Sequence, residues 1–218
     1  MQNRKSFDEQ ARSWADLAKK NDLDAFNHLV VTHQDAAFNF ASWMLNGDDV
    51  ADDVVQTAFL AAYRHIQGFR GTSFRAWLLK IIRNLCIDEL RRRVRHPWTQ
   101  IGPKNADEPA LEETEWLIDP SPLPEEIIIK QEEQRLVESC ICQLPDLIRE
   151  VLILIDIQEL NYKEAAMVLN IPVGTIKSRL ARARVHLRDL LSKKIYSSAI
   201  PDRMMTLTKI MGRLSIFL

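Results

Sequence analysis

A short helical segment, a tight turn and a longer basic helix are predicted within residues 160–191, and this stretch constrains the fold more than any other. Asn161 and Glu164 have the spacing of a capping box at the start of the first helix. Asn170 tolerates the left-handed conformation that a tight turn needs. Pro172 suits the first turn of the second helix, where its missing N–H is not required. The pattern therefore predicts two helices joined by a tight turn.

The second of these helices has an apolar side and a basic side. Apolar residues recur every three or four positions and predict one buried side: Val173, Ile176, Leu180, Ala183, Leu187 and Leu190. The other sides carry Thr175, Lys177, Ser178, Arg179, Arg182, Arg184 and Arg188. A helix pair of this form places its second, recognition helix in the major groove of DNA.

The alternative interpretation is an ordinary helical hairpin with a solvated basic face, because such hairpins are common. The charge balance favours nucleic acid. Residues 160–194 contain eight Lys or Arg against Glu164 and Asp189, whereas a solvated helix usually interleaves both signs. The formal net charge of −1 hides this bias, because residues 60–96 hold nine Lys or Arg and residues 101–126 hold eight Asp or Glu.

The first half of the chain begins with polar residues that predict an irregular lead or a short helix, followed by a longer helix. Apolar residues from Phe26 to Met44 follow helical spacing, and the pattern stops at Gly47. We expect His33 to pack on the apolar side of this helix. A metal pair with His28 is not expected, because the two residues are five positions apart.

A second helix of the first half is predicted to start near Asp48 and to run to about His65. Its outer face carries Asp52, Asp53 and Gln56. Carboxylates near a helix N-terminus complement the helix dipole. That effect explains Asp52 and Asp53 in part, but it does not explain Gln56.

A loop with two glycines, residues 67–73, precedes a third helix that Ser73 can cap and that runs from Phe74 to about Arg95. The predicted buried stripe of this helix is Leu78, Ile81, Leu85 and Val94. Another face groups the polar residues Lys80, Asn84, Arg91 and Arg95, with Arg83 beside them.

Basic residues beside aromatic residues at this loop suit single-stranded nucleic acid, since cations follow the backbone while rings or a pocket receive unstacked bases. The aromatic residues are Phe69, Phe74 and Trp77. In the alternative, Phe74 and Trp77 belong to the core, and we expect that position for Trp77.

The remaining composition excludes several classes of site. Three cysteines (Cys86, Cys140 and Cys142), with no secretion signal at the N-terminus, favour packed thiols in a reducing compartment over disulfides. Neither a zinc site nor any other metal or cofactor site is expected. No apolar run has the length of a membrane span, and no catalytic triad or Gly-rich phosphate loop is present. The sequence therefore predicts a cytoplasmic protein that is not an enzyme and does not insert into membranes.

Four segments resemble the extracytoplasmic-function (ECF) group of bacterial RNA polymerase sigma factors. Residues 171–184, IPVGTIKSRLARAR, look like the second helix of the C-terminal domain of these factors, and residues 144–166 look like its lead-in helices. Residues 51–69, ADDVVQTAFLAAYRHIQGF, resemble the segment that docks on the β′ clamp helices of core polymerase. Residues 74–95 resemble the segment that melts and reads the −10 promoter element.

The resemblance implies a role for each matching residue. Core polymerase binding is assigned to Asp52, Asp53 and Gln56, although the family commonly has an acidic residue where this chain has Thr57. Contact with the −35 element in the major groove is assigned to Thr175, Lys177, Ser178, Arg179 and Arg182. Contact with the single-stranded −10 element is assigned to Phe69, Arg70, Ser73, Lys80, Arg83, Asn84 and Arg91. The implied partners are promoter DNA, the β′ clamp helices and β flap of core polymerase, and an anti-sigma factor.

The sequence as a whole predicts an all-α protein of two small helical domains joined by a flexible acidic linker, the second domain containing the helix-turn-helix. The expected segments are a lead at 1–22, a first domain at 23–96, a linker at 97–124, a second domain at 125–192 and a tail at 193–218. The predicted function is a sigma factor that directs promoter-specific initiation. The alternative is a helix-turn-helix regulator that binds duplex DNA without polymerase, which leaves the first basic domain unexplained.

Overall fold

A computed structural model describes residues 2–45, 50–71, 73–95 and 135–197 of the chain. Within these ranges the regular elements are helices and no residue lies in a strand, which confirms the all-α class. The α-helices are α1 Gln2–Ala18, α2 Leu23–Leu45, α3 Ala51–His65, α4 Phe74–Arg95, α5 135–142, α6 Asp146–Leu152, α7 Tyr162–Leu169 and α8 Val173–Ser197. A 3₁₀ turn, Ile66–Gly68, follows α3, and a π-helical turn, Ile153–Ile157, follows α6.

Helix α2 is the centre of the N-terminal domain. Its buried residues repeat the predicted apolar pattern: Ala25, Phe26, Leu29, His33, Ala37, Phe40, Ala41, Met44 and Leu45. Helices α1, α3 and α4 pack against it. The polar N-terminal residues form a 17-residue helix, because Ala11, Ala15 and Ala18 give it a buried side that packs on α2.

Helix α4 has the predicted bounds but not all of the predicted buried stripe. Leu78 is buried, whereas Ile81 and Leu85 are half-buried, and Val94 is 82% exposed. The prediction for Val94 was wrong for a geometric reason. A step of four residues rotates about 40° past a full helical turn, so four such steps place Val94 roughly 160° away from Leu78 around the axis.

The helix-turn-helix has the predicted local structure. The Asn161 side chain accepts hydrogen bonds from the backbone N–H groups of Lys163 and Glu164, and the Glu164 carboxylate accepts one from the Asn161 backbone N–H, which completes the capping box. Asn170 ends α7 in the left-handed conformation at φ 53°, ψ 46°. Helix α8 begins directly after Pro172 and buries Ile176, Leu180, Ala183, Leu187 and Leu191.

The two domains pack against each other. The buried apolar residues of residues 11–86 and 140–191 form one continuous core. Helix α4 contacts α7, and α2 contacts the π-helical turn. The sequence predicted two domains on a flexible linker, and the structure adds a closed arrangement of those domains.

Several predictions fall outside the described residues. They concern the end of the first helical pattern at Gly47, the cap near Asp48, Thr72 in the loop, the linker 97–124, the start of the second domain and the tail beyond 197. Among the described helices, none has both the length and the apolar character to cross a bilayer.

Candidate nucleic-acid interface

The first half of α8 presents a polar face to solvent. Lys177, Ser178 and Arg182 are exposed, and Thr175 and Arg179 are half-buried. The hydroxyl of Ser178 donates to the carbonyl oxygen of Thr175 over 3.1 Å. The opposite side of α8 packs in the core, and a capping box starts the preceding helix α7. These contacts hold the exposed side chains of α8 in place. Thr175, Ser178, Arg179 and Arg182 share one side of α8, whereas Lys177 lies about 160° from Arg179 around the helix axis.

Tyr162, at the start of α7, lies next to this face and was not among the predicted site residues. The Lys177 Nζ atom is 5.7 Å from the centroid of the Tyr162 ring, which is within the range of a cation–π contact. Tyr162 itself is 40% exposed. Tyr162 follows the capping residue Asn161 directly in the sequence.

Arg184 is one basic residue of α8 that does not face outward. It donates to both carboxylate oxygens of Asp156, over 3.1 and 2.7 Å, and the Asp156 side chain is 2% exposed. The hydrogen bond to Asp156 raises the pKa of Arg184, and burial raises the pKa of Asp156. This pair attaches α8 to the π-helical turn, so Arg184 has a structural role within the C-terminal domain.

The aromatic residues of the loop before α4 form part of the core. The Phe69 ring is 1% exposed and contacts Phe74 and Trp77, with ring centroids 5.7 and 5.4 Å apart. Lys19 covers it with Nζ 5.3 Å from the centroid. The structure thus places the Phe69 ring in the core, and its predicted contact with the −10 element stays a prediction. Sequence spacing alone could not separate a ring in a cluster from a ring in solvent.

Two small residues position this loop. The Ser73 side chain is buried, and its Oγ accepts a hydrogen bond from the Ala76 backbone N–H over 3.2 Å, as a helix cap does. The structure therefore shows Ser73 as the cap, and an exposure of only 6% leaves little of this residue for the predicted contact with DNA. A Cβ atom at Gly71 would lie 3.3 Å from the Phe69 ring, so glycine lets the loop pass close over that ring. Arg70 is exposed beside it.

The outer face of α4 carries the remaining predicted residues of the −10 site. Lys80, Asn84 and Arg91 are exposed. Arg83 differs, because it is half-buried and bonded to Glu150 of α6, with Nη2 2.9 Å and Nε 3.0 Å from Oε2. Asn84 is thus exposed to solvent, whereas its chain neighbour Arg83 is held by the C-terminal domain.

The arginine run at the end of α4 is partly neutralised by its own helix. Arg92 and Arg93 both donate to the Glu89 carboxylate, over 2.7 to 3.1 Å. These bonds, led by the one from Arg92, lower the pKa of Glu89. Arg93 also donates to the carbonyl oxygen of Leu45. The net positive charge available to a ligand is therefore smaller than the sequence suggests.

A groove of about 710 Å³ lies between α2 and α3 on another side of the N-terminal domain. Its lining includes the predicted residues Asp52, Asp53 and Gln56, all exposed. It also includes residues of α2 that were not predicted: Val30, Gln34, Asp35, Phe38 and Asn39. The signal for these residues was present, because the polar ones sit at helical spacing beside the apolar stripe of α2.

The cysteines and histidines do not form a further site. Burial raises the pKa of the Cys86 thiol to about 12, so it is unreactive at neutral pH. His33 is buried, and its Nδ1–H donates to the carbonyl oxygen of Leu29 over 2.9 Å. This confirms the expectation of a packed histidine. Among the described residues, no group of His, Cys, Asp and Glu side chains is arranged to hold a metal ion.

Two protein families match the chain, one in each half. The family Sigma-70 region 2 matches residues 29–96, and the family Sigma-70, region 4 matches residues 134–187. The first match contains α3 and α4, and the second contains the helix-turn-helix.

Individual relatives match most of the chain. It is 34% identical over 174 residues to the ECF RNA polymerase sigma factor SigW of Bacillus subtilis (strain 168), a match covering 79% of this chain and 92% of that protein. It is 34% identical over 171 residues to the ECF RNA polymerase sigma-E factor of Escherichia coli (strain K12), covering 76% of this chain and 86% of that protein.

Two solved complexes have a similar chain fold. CnrH in complex with the cytosolic domain of CnrY has a TM-score of 0.60 at 27% identity, covering 84% of this chain and 98% of that one. The sigma factor RpoE in complex with the anti-sigma factor NepR, from Bartonella quintana, has a TM-score of 0.58 at 26% identity, covering 76% of this chain and 96% of that one.

Proposed function

The chain belongs to the extracytoplasmic-function group of sigma-70 factors, and from that premise we propose how its surfaces divide promoter recognition. As a sigma factor it directs transcription initiation, by binding core RNA polymerase and promoter DNA. Phosphodiester synthesis is assigned to the core enzyme, and the chain itself has no catalytic role in the proposal. The proposed site of action is the cytoplasm.

Helix α8 is proposed to read the −35 element from the major groove. The observation that carries this assignment is the exposed polar face of α8, which rests on a capped helix-turn-helix. No acidic residue occurs between Val173 and Arg188, so the face has no local carboxylate to repel phosphates. Arg179 and Arg182 suit bidentate contacts with guanine, and Lys177, Ser178 and Thr175 suit contacts with bases or phosphates.

The outer face of α4 is proposed to bind the opened −10 element. Asn84 can hydrogen-bond to the exposed edge of an unpaired base. Lys80 and Arg91 lie on the same face and can follow the phosphate backbone. Arg70 extends this surface from the loop before α4. Arg83 can join it once Glu150 no longer holds its guanidinium.

The groove between α2 and α3 is proposed as the docking site for the β′ clamp helices. Its carboxylates, from Asp35, Asp52 and Asp53, favour a basic partner because complementary charges speed association and suppress wrong partners. The α2 residues Gln34 and Asn39 add amide donors and acceptors on the opposite wall. Thr57 is exposed next to Gln56 on α3. Its hydroxyl takes the place of the acidic residue that is common in the family.

An anti-sigma factor is proposed as the regulatory partner, and the β flap of core polymerase is proposed as the partner of the C-terminal domain. The proposal of an anti-sigma factor is supported by the two similar chains described above, since each was solved as a complex. RpoE was solved with the anti-sigma factor NepR, and CnrH was solved with the cytosolic domain of CnrY.

In vitro transcription on genomic fragments tests the proposal. With core enzyme and this protein, we expect discrete start sites that core enzyme alone does not produce. A gel shift with the protein alone should give weak binding without that promoter selectivity. Selective, tight binding to duplex DNA in the absence of core enzyme would instead support a stand-alone helix-turn-helix regulator.

A further inference from the structure

An ion pair joins α4 to α6 across the boundary between the two domains. The Arg83 guanidinium lies 2.9 Å from Oε2 of Glu150, whose side chain is 5% exposed, whereas that of Arg83 is 19% exposed. Charge-assisted hydrogen bonds of this length are about twice as strong as neutral ones. A buried carboxylate is also costly to leave unpaired. Glu150 therefore favours the arrangement in which Arg83 remains against it.

A second contact joins the domains two turns earlier along α4. Arg75 donates from Nη2 to Oε1 of Gln158 over 2.7 Å, and Gln158 donates from Nε2 to the carbonyl oxygen of Ala36 in α2 over 3.2 Å. Gln158 is 2% exposed. One amide thus connects the C-terminal domain to two helices of the N-terminal domain.

The π-helical turn accounts for the position of Gln158. Its backbone N–H donates to the carbonyl oxygen of Ile153, five residues earlier, over 2.8 Å. A π turn holds one more residue than an α turn and re-aims the side chains that follow it, and such turns occur often at functional sites. The extra residue lets Gln158 reach the domain boundary while Asp156, in the same turn, holds Arg184 within the C-terminal domain.

We propose that Arg75, Arg83, Glu150 and Gln158 form a clasp that, together with the apolar core shared by the two domains, holds the free protein closed and withholds Arg83 from DNA until the domains separate. This inference rests on the proposed function and names a regulation of the same site. The −10 and −35 elements lie about 25 base pairs apart, or about 85 Å at 3.4 Å per base pair. A compact chain of this length has a radius of gyration of roughly 17 Å. The closed form therefore cannot contact both elements at once, and the clasp must open for promoter recognition.

The clasp restricts the proposed DNA-binding residues of α4 more than those of α8. On α8, Lys177 and Arg182 are both exposed in the closed form. On α4, the guanidinium of Arg83 is occupied by a carboxylate that competes with DNA phosphate for the same donor atoms. The closed form is thus competent for weak contact with duplex DNA through α8 but is impaired for single-stranded DNA at α4.

Small-angle scattering and DNA binding by the full-length protein test the clasp. Glu150→Ala removes the ionic contact, and Gln158→Ala removes the amide contact. We expect the radius of gyration of Glu150→Ala to rise by roughly a third or more, given the length of the linker. The affinity of Glu150→Ala for a fluorescent 20-nucleotide single strand of mixed sequence should rise about three- to tenfold. The salt slope, which is the slope of log affinity against log salt concentration, should steepen by about one, as expected for one more phosphate contact.

Two matched variants separate the clasp from simpler effects. Asp24→Ala removes the same charge from an exposed position of α2, away from both proposed DNA-binding helices, and should leave both the size and the salt slope unchanged. Arg83→Ala combined with Glu150→Ala should remain expanded but lose the gain in affinity for single strands. Equal gains in Asp24→Ala and Glu150→Ala would overturn the assignment to Arg83.

The remaining outcomes are also decisive. Wild-type scattering that is already expanded, or clasp variants that scatter and bind like wild type, would overturn the proposal. If circular dichroism shows that Glu150→Ala does not fold, the Gln158→Ala variant tests the clasp by the same scattering and DNA-binding measurements. With core polymerase present, Glu150→Ala should transcribe at least as well as wild type. Absence of core-dependent transcription by the wild type would refute the proposed function instead, whatever the scattering shows.

Discussion

Helices α8 and α4 carry similar sets of basic residues, but they differ in how many of these residues are free to contact a ligand. On α8, Lys177 and Arg182 face solvent, and Arg184 is held by Asp156. On α4, arginines are held by Glu89, Glu150 and Gln158. The difference shows that a count of basic residues overestimates a binding surface wherever acidic residues of the same fold lie within reach. In this protein the C-terminal domain supplies some of those acidic and amide partners to α4.

The largest expected effect concerns the exposed face of α8. Replacing both Arg179 and Arg182 with Ala should reduce use of the preferred promoters by about 100-fold or more, because each base-edge contact that is lost contributes about 1–3 kcal/mol. In vitro transcription with core enzyme measures the loss. The control Arg188→Ala, further along α8, should change promoter use by less than about threefold. Unchanged promoter selectivity in the double variant would contradict the proposed role of this face.

An effect on stability, not on promoter use, is expected where an α8 arginine is structural. Asp156→Asn should lower the free energy of unfolding by about 3 kcal/mol, because it breaks the buried ion pair between Asp156 and Arg184. Urea denaturation measures the change. The exposed pair of Asp88 and Arg91, 70% exposed on both sides, provides the matched control, since Asp88→Asn should cost less than about 0.5 kcal/mol. Similar losses in the two variants would mean that burial does not distinguish these pairs.

The exposed part of the α4 face should show a moderate effect specific to strand opening. Asn84→Ala should leave core binding unchanged and reduce transcription from duplex templates about tenfold, and a template with an unpaired −10 region should restore part of it. Lys80→Ala should instead weaken binding to all sequences and reduce the salt slope by about one. An equal loss of core binding in the Asn84 variant would indicate a structural role for that residue.

The smallest expected effect is a pH dependence of the N-terminal domain through His33. Burial lowers the pKa of His33 in the folded state, with a further lowering by Arg75, although the bond to Leu29 opposes both. The unfolded chain therefore binds a proton more readily, and stability falls as the pH drops below the ordinary histidine pKa of about 6.5. The loss is at most about 1.4 kcal/mol per pH unit.

Thermal unfolding between pH 7.5 and 5.5 measures the effect of His33. His33→Gln should be less stable at pH 7.5 and should lose less stability on acidification than wild type. A wild-type profile that is flat over this range, or one with the same slope in the variant, would exclude His33 as the responsible group. His186 on α8 is exposed, so the C-terminal domain offers no equivalent buried histidine among its described residues.

Local sequence patterns determined the elements of this fold. The capping box at Asn161, the left-handed Asn170 and the stripe of α8 could be predicted, because each depends on residues within a few positions of one another. The same holds for the stripe of α2 and for the bounds of α4. The assignment to sigma factors follows from these segments as well, since each family match lies within one domain.

Contacts between distant residues could not be predicted in this way. The Phe69 ring contacts Phe74 and Trp77, which are close to it in the sequence, but Lys19, which covers the same ring, is distant along the chain. The engagement of Arg83 depends on Glu150, 67 positions away along the chain. Periodicity reports which side of a helix is apolar, but it does not report what covers a polar side. Only tertiary packing decides whether a given arginine faces DNA or a carboxylate of its own protein.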